Sequence, residues 1–406
     1  MPKPQKTTKK PSDGEHKTVA FKRKSTPMRK MVKAAVWTVV ILLLVTGGLW
    51  AYSNRDNLTP DRISEWFDTH FASYGTGDGF PVDAAGSTVK QLASMGGDVA
   101  FLTDSSFELL NQTASSIVNR QHNCTTPALR VSDTRALIYD RGGSNWRVEN
   151  RRRTLVDKEE EYKIIAADIS ENDQIVMVTQ SGNGYLSEMR VYDQNFEEKQ
   201  FNWSSAEGQV VDVAARPDGK GAAAVSLTVE GGQMNSLVDV LDFSSGKATP
   251  QKLEGVLLLT VEYSGGRILA VGDSQCVSLA QDGSDLKTYS YDGKYLAGYS
   301  ISPNGGVALA LSDHEDLRDS TLVLLDGSLQ EESHQNHVGR VRALSYDENV
   351  AMLTNSSVTV IRPLDGQILG RQSTSSGAQD ILLQGNTLYV QDADHLNQID
   401  VNQMGQ

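Results

Sequence analysis

Cysteine is nearly absent: Cys124 and Cys276 are the two thiols in 406 residues. Two cysteines cannot staple a chain of this length, so stability has to come from packing, and free thiols are expected. No GxxxxGK[ST] stretch occurs, which leaves no phosphate-cradling loop for a nucleotide. A Gly-x-Ser-x-Gly nucleophile turn is missing too; "SGNGYLS" at 181–187 and "GYSIS" at 298–302 do not match it. The seven histidines are scattered. His334 and His337 sit three apart in "EESHQNH" without a third ligand nearby, so neither a metal nor another cofactor is expected.

Charge is missing from one segment and lopsided elsewhere. "AAVWTVVILLLVTGGLWAY", 34–52, runs nineteen residues without a charged side chain. As a helix it covers about 28 Å, close to the hydrocarbon core of a bilayer. Trp37, Trp50 and Tyr52 fall near its ends, where amphipathic rings suit the two interfaces. Residues 1–33 carry eleven Lys/Arg against Asp13 and Glu15. They read as a disordered basic tail that stays cytoplasmic. The pattern predicts a single-pass cell-membrane protein whose C-terminal body is extracytoplasmic. A cleaved signal peptide is the rival, with an unusually long apolar core and its nearest small-residue pattern, Val45-Thr46-Gly47, inside the run. Residues 53–406 hold 27 basic and 49 acidic side chains, a balance that argues against a nucleic-acid partner.

Residues 53–79 read as a juxtamembrane unit. In "NLTPDRISEWFDTHFASYG", 57–75, Thr59 suits an N-cap and Pro60 the first helical position. Ile63, Trp66, Phe67, His70, Phe71 and Tyr74 then form one apolar stripe at helical spacing. The stripe is expected to dock on the body, because it lacks the flanking Lys/Arg of a helix that lies on lipid. "GTGDGF", 75–80, follows as a hinge.

From residue 80 to 406 the helical period gives way to short apolar runs separated by Gly, Asp, Asn and Ser, the mark of an all-β chain. Two features recur. One is a hairpin turn: "SEND" at 170–173, "RPDG" at 216–219, "YSGG" at 263–266, "SPNG" at 302–305 and "YDEN" at 346–349. The other is an apolar strand entering an acidic turn at Asp193, Asp242, Asp282, Asp326, Asp365 and Asp400, in steps of 35 to 49 residues. A period near forty with four strands per copy predicts a β-propeller of the WD40 or quinoprotein type. The copies segment as 85–122, 126–157, 161–204, 208–252, 255–292, 295–338, 340–375 and 378–402, giving eight blades, with seven the alternative. The last copy has room for three strands only, so "GFPVDA", 79–84, is expected to supply the fourth and close the ring.

Several stretches carry a family likeness: "GTGDGFPVD" at 75–83, "AFLTDSSFELLN" at 100–111, "RALIYDRGGSNWRVEN" at 135–150, "VTQSGNGYLSEMRVYD" at 178–193 and "FNWSS" at 201–205. With them the chain resembles an uncharacterised family of membrane-anchored proteins of Gram-positive bacteria, domain of unknown function 5711. The resemblance implies a single-span anchor and an extracytoplasmic propeller-like body. It implies no activity and no functional residue.

The densest polar-aromatic cluster is "YDRGGSNWR", 139–147. It is either a rim loop presenting Tyr139, Asp140, Arg141, Trp146 and Arg147 to a ligand or a glycine hairpin with Trp146 packed between sheets. Asn183 and Tyr185 form a second candidate rim loop. "RRR" at 151–153, followed by "DKEEE", reads as a solvated charged edge. The expected function is a non-enzymatic binding or scaffold module for an envelope protein or wall polymer. The alternative is an envelope hydrolase or lyase that uses carboxylates at the propeller channel.

Overall fold

Alternating apolar strands punctuated by Gly and Asp turns can bury both faces only by stacking sheet on sheet, and the chain does this eight times. The computed structural model describes residues 27–53, 60–71, 74–83 and 88–405. The basic tail up to residue 26 and the Thr59 cap lie outside them. The chain divides at residue 60 into two units. In the first, helix α1 (Pro27–Ser53) contains the nineteen residues Met31–Leu49, long and apolar enough to cross a membrane or to serve as a signal sequence. Its two threonine hydroxyls are satisfied internally: Thr38 Oγ1 donates to the Ala34 carbonyl at 2.9 Å and Thr46 Oγ1 to that of Leu42 at 2.8 Å. An apolar surrounding demands such pairing.

In the second unit, the described residues form eight four-stranded antiparallel sheets, seven of them built from consecutive strands. The blades span 89–121, 127–159, 164–205, 209–254, 258–290, 295–335, 341–373 and 380–400. Every expected copy falls on one sheet. The count is eight, not seven. First strands line the axis, and the first strands of blades one and eight meet to close the circle. Blade eight takes its outer strand from the other end of the chain: Val82 pairs with Leu396 and Asp83 with His395. Behind that closure the Phe80 ring meets Tyr389 edge-on at 5.3 Å.

Eight apolar clusters hold the ring, one between each pair of neighbouring blades. Val238 and Val240 of blade four meet Ile268 and Val277 of blade five, and Val99 and Phe101 of blade one meet Tyr389 and Leu396 of blade eight. The recurrent aspartates have a local task. Asp193, Asp242, Asp282, Asp326 and Asp365 stand at or just past the end of the third strand of successive blades and accept backbone N–H groups of the turn there. The Ser244 and Ser284 hydroxyls, with these backbone bonds behind them, hold the carboxyls of Asp242 and Asp282 below the usual range, and Arg362, with the backbone bond behind it, holds Asp365 at about 2. Cys124 and Cys276 are free thiols; burial pushes each to about 12.

Two faces follow from the strand order. The upper face carries the second-to-third-strand turns and the links between blades. The lower carries the first-to-second and third-to-fourth turns. Helix α2 (Pro60–Phe71) docks on the lower face of blades one to three through polar side chains; of the expected stripe Tyr74 is half-buried, and the side chains of Trp66 and His70 lie outside the described residues. Arg62 Nη2 donates to Asp173 at 2.7 Å, Arg135 Nε and Asn150 Nδ2 donate to Glu65 at 3.1 and 2.9 Å, and Arg152 pairs with Asp68. Ile63, Phe67 and Phe71 are exposed instead. Of the arginine run at 151–153, Arg152 and Arg153 are exposed as a charged edge would be, and Arg151 departs from that reading. Arg151 is buried and donates to Met95 O at 2.6 Å, Asp98 at 2.9 Å and Thr69 at 3.0 Å, tying blade one, blade two and α2 together.

Candidate functional site

Six of the eight inner strands carry an extra residue near their upper end. The register skips Lys90, Ile165, Val211, Leu259, Ala297 and Arg342. A bulge leaves its extra residue outside the ladder and re-aims the side chain. In blades three, four and five these residues are aliphatic, and Ile165, Val211 and Leu259 line a cavity of about 510 Å³ at the upper mouth. Ile164, Leu227, Leu257 and Leu258 complete its floor, while Arg141, Lys163 and Gln180 stand at its margin. Six of the nine large apolar side chains that the described ring exposes belong to this same face: Tyr185, Leu186, Val229, Met234, Leu259 and Tyr295. Val229 and Met234 stand near the tip of the hairpin formed by strands Gly221–Glu230 and Gln233–Asp242.

The seven residues singled out in sequence separate into two groups. Tyr139 and Trp146 are buried between blades two and three, so they present nothing to a ligand. Trp146 Nε1 donates to Glu160 at 2.8 Å, and the same oxygen accepts from Tyr192 Oη at 2.7 Å. Asp140 is buried and accepts the Thr126 N–H at 2.6 Å. Arg147 lies along the outer strands, donating to Gln121 O and to Asp157, both at 2.6 Å. For these four the hairpin reading replaces the ligand reading. Of the five candidates in the first loop, Arg141 reaches the mouth, with Gly142 beside it. Its turn is locked to blade three, with Gly142 N donating to Ile164 O and Ile164 N to Gly143 O, both at 2.7 Å. Asn183 and Tyr185 are exposed on the upper face, where Asn183 Nδ2 donates to Glu188 at 2.9 Å.

Further along the axis the lining turns polar around a space of about 470 Å³. Arg130 of blade two reaches Asp212 of blade four at 3.4 Å and Asp168 of blade three at 3.7 Å. Asp212 also accepts from Thr260 Oγ1 at 2.7 Å and Val261 N at 3.1 Å. Glu262 of blade five faces the same space. Water reaches Glu262 and part of Asp168, yet the ring encloses both carboxyls. That enclosure raises Asp168 to about 6 and Glu262 to about 7, with Arg130 opposing in each case. One strand position in each of four blades builds this group. Its members stand 38 to 50 residues apart and no local motif marks them. The bulge residues are equally silent in sequence, because an extra Ile or Leu in an apolar run looks like the run itself.

Solved structures confirm the architecture. The chain is similar to BamB from Moraxella catarrhalis, with a TM-score of 0.51 and 15% identity over 79% of this chain and 99% of that one. It is similar to apo AztD from Citrobacter koseri at a TM-score of 0.50 and 9% identity, covering 70% and 85% of the two chains. The Cps50 (Swd1) β-propeller domain of Myceliophteria thermophila gives 0.51 and 9%, covering 79% and 99%. At such identities the likeness establishes the fold alone. No curated protein matches the sequence. Residues 69–401 match the model of a family of unknown function, DUF5711, and the chain belongs to that family.

Proposed function

We propose that the protein is a membrane-tethered, non-enzymatic binding module of the cell envelope, with residues 34–52 crossing the membrane and the ring on the extracytoplasmic side. Its docking site is the upper mouth. The observation that carries this reading is the aliphatic cavity fed by Ile165, Val211 and Leu259, with Arg141 and Lys163 at its margin. Such a floor offers few hydrogen-bond partners to sugar hydroxyls and suits an apolar side chain of an extended protein segment. The two cations suit a carboxylate on the same segment, in a body that is otherwise strongly acidic. Tyr185 and Asn183 extend the contact surface.

A photo-crosslinking residue at Leu259 in native membranes tests it. One recurrent protein adduct is expected from position 259, none from Leu364 on the lower face, and at least tenfold less from 259 when Arg141→Glu is added. Equal labelling from both positions, or none from either, overturns the proposal. The enclosed carboxyls of Glu262 and Asp168 favour the second reading, a hydrolase or lyase. Arg130 neutralises part of that group and Thr260 occupies Asp212, which fits a structural clasp better. Turnover of a wall glycan that Glu262→Gln abolishes would reinstate the enzyme.

A further inference from the structure

Blade four carries the two longest strands of the described ring, Gly221–Glu230 and Gln233–Asp242, ten residues each. Their neighbours stop short of them. The first strand of the blade leaves the ladder at Gln209, opposite Leu227, and the outer strand leaves it at Glu254, opposite Asn235. Thr228–Glu230 and Gln233–Met234 therefore run on from the upper face as an arm, closed by Gly231 and Gly232 at φ of +60° and +85°. A two-residue loop of that kind makes Glu230 and Gln233 a hydrogen-bonded pair. The alternation of an antiparallel ladder then turns the N–H and C=O of Val229 away from Met234, to the axial edge, where no described strand pairs with it.

The side chains of the arm are sorted as well. A period of two puts Leu227, Val229 and Met234 on the side that faces blade five, in line with Val225 and Val238 of the cluster between blades four and five. Leu227 lines the cavity, next to the floor at Leu257–Leu259. Val229 and Met234 are 65% and 48% exposed. Open strand edges are usually blunted by Lys, Pro or a covering loop, and this one presents valine beside an apolar cavity.

We infer that an extended segment of a partner protein docks at the mouth as an added strand, pairing its backbone with Val229 while alternate side chains settle on Leu227 and the cavity floor. The inference rests on the reading of the upper mouth as a docking site and states how the segment is held. Main-chain bonds supply affinity in such an arrangement and the pocket beneath supplies selectivity. Arg141 and Lys163 at the margin favour a segment that carries a carboxylate. The arm of a second copy is too short for both tasks, since it projects three residues, about 10 Å, beyond the first strand of its own blade.

The test keeps the photo-crosslinking residue at Leu259 in native membranes and adds Val229→Pro or Val229→Ile to the full chain. Proline deletes the N–H in question at an edge position that accepts its ring, and isoleucine keeps both the N–H and the apolar side chain. Expected is at least a tenfold loss of the protein adduct with Val229→Pro and a change of less than twofold with Val229→Ile. A second measurement is independent of the arm's own folding. The segment recovered from the adduct is synthesised as a linear peptide and its amides are N-methylated one at a time. Binding to the full chain should fall at least tenfold at one amide and less than threefold at the two beside it. Undiminished labelling in Val229→Pro, or equal losses at all three amides, overturns the inference and leaves the docking site standing. A peptide that does not bind overturns it too. Adducts between two copies of this chain overturn it in favour of self-association. No adduct from the parent chain removes the docking site, and the inference with it.

Discussion

Glu262 shows how the ring sets the chemistry of a single side chain. Water enters the channel and reaches its carboxyl, but protein surrounds it, and the charged form is disfavoured until about pH 7. Between the unfolded value near 4.5 and that point, the folded chain keeps a proton that the unfolded chain has released. Stability from this group is therefore complete at low pH and is lost as pH rises toward 7. Asp168 acts in the same sense up to about 6. Glu262→Gln fixes the neutral form. The variant should melt above the wild type at pH 8, by about 1–2 °C after screening by channel water, and the difference should vanish below about pH 4. Thermal unfolding followed by circular dichroism across that range checks it. A difference independent of pH would mean that the carboxyl ionises freely in the folded ring.

At the scale of elements, the described contacts that hold α2 are charged, and Asp173 is their principal anchor. Fully buried, it accepts from Arg62 at 2.7 Å and Ser132 Oγ at 2.5 Å, with Arg135 at 3.6 Å. Its φ of +63° tolerates asparagine, so Asp173→Asn removes the charge without straining the turn. Removing one side of a buried ion pair costs about 3–5 kcal/mol. Amide exchange over 60–71 should accelerate at least tenfold in that variant while strands of blades five to seven keep their protection; unchanged exchange in α2 would show that apolar contacts hold it. The helix itself was legible, from Pro60 and the stripe of Ile63, Phe67 and Phe71. The docked side was not. Its partners come from turns at 132–135, 150–153 and 170–173, remote in sequence, and Arg151 looks like any solvated arginine until Met95, Asp98 and Thr69 surround it. The loop at 139–147 misleads for a related reason. Polar and aromatic letters cluster there, yet Trp146 and Asp140 spend their hydrogen bonds inside blade two and its border with blade three. Arg141, with the same local signature, is left at the mouth.

For the whole molecule, the period of acidic turns marked six of the eight blades, because each copy repeats the same local chemistry and meets only its neighbours. The first two copies lack that turn, which left seven blades as the alternative. Closure is the step where local repetition runs out. Blade eight has three strands of its own, and the missing one arrives from Val82–Asp83, before blade one. The C-terminus adds a second tie: Val401 and Met404 pack with Val358 and Val360 of blade seven, and Arg371 N donates to Gly405 O at 2.7 Å. A chain ending at Asp394 would lose both ties at once. The outer strand would have no partner, and the apolar cluster of Val99, Phe101, Leu110 and Tyr389 would open to water. Since the sheets on either side depend on that cluster for one of their faces, the damage should spread around the circle. The truncated chain is expected to melt in one transition at least 10 °C lower, or to aggregate through its free edges. The milder Leu396→Ala, which keeps every strand, should cost about 2–5 kcal/mol in urea unfolding. Two separate transitions in the truncated chain, one of them at the original temperature, would show instead that blades two to seven stand without the closed ring.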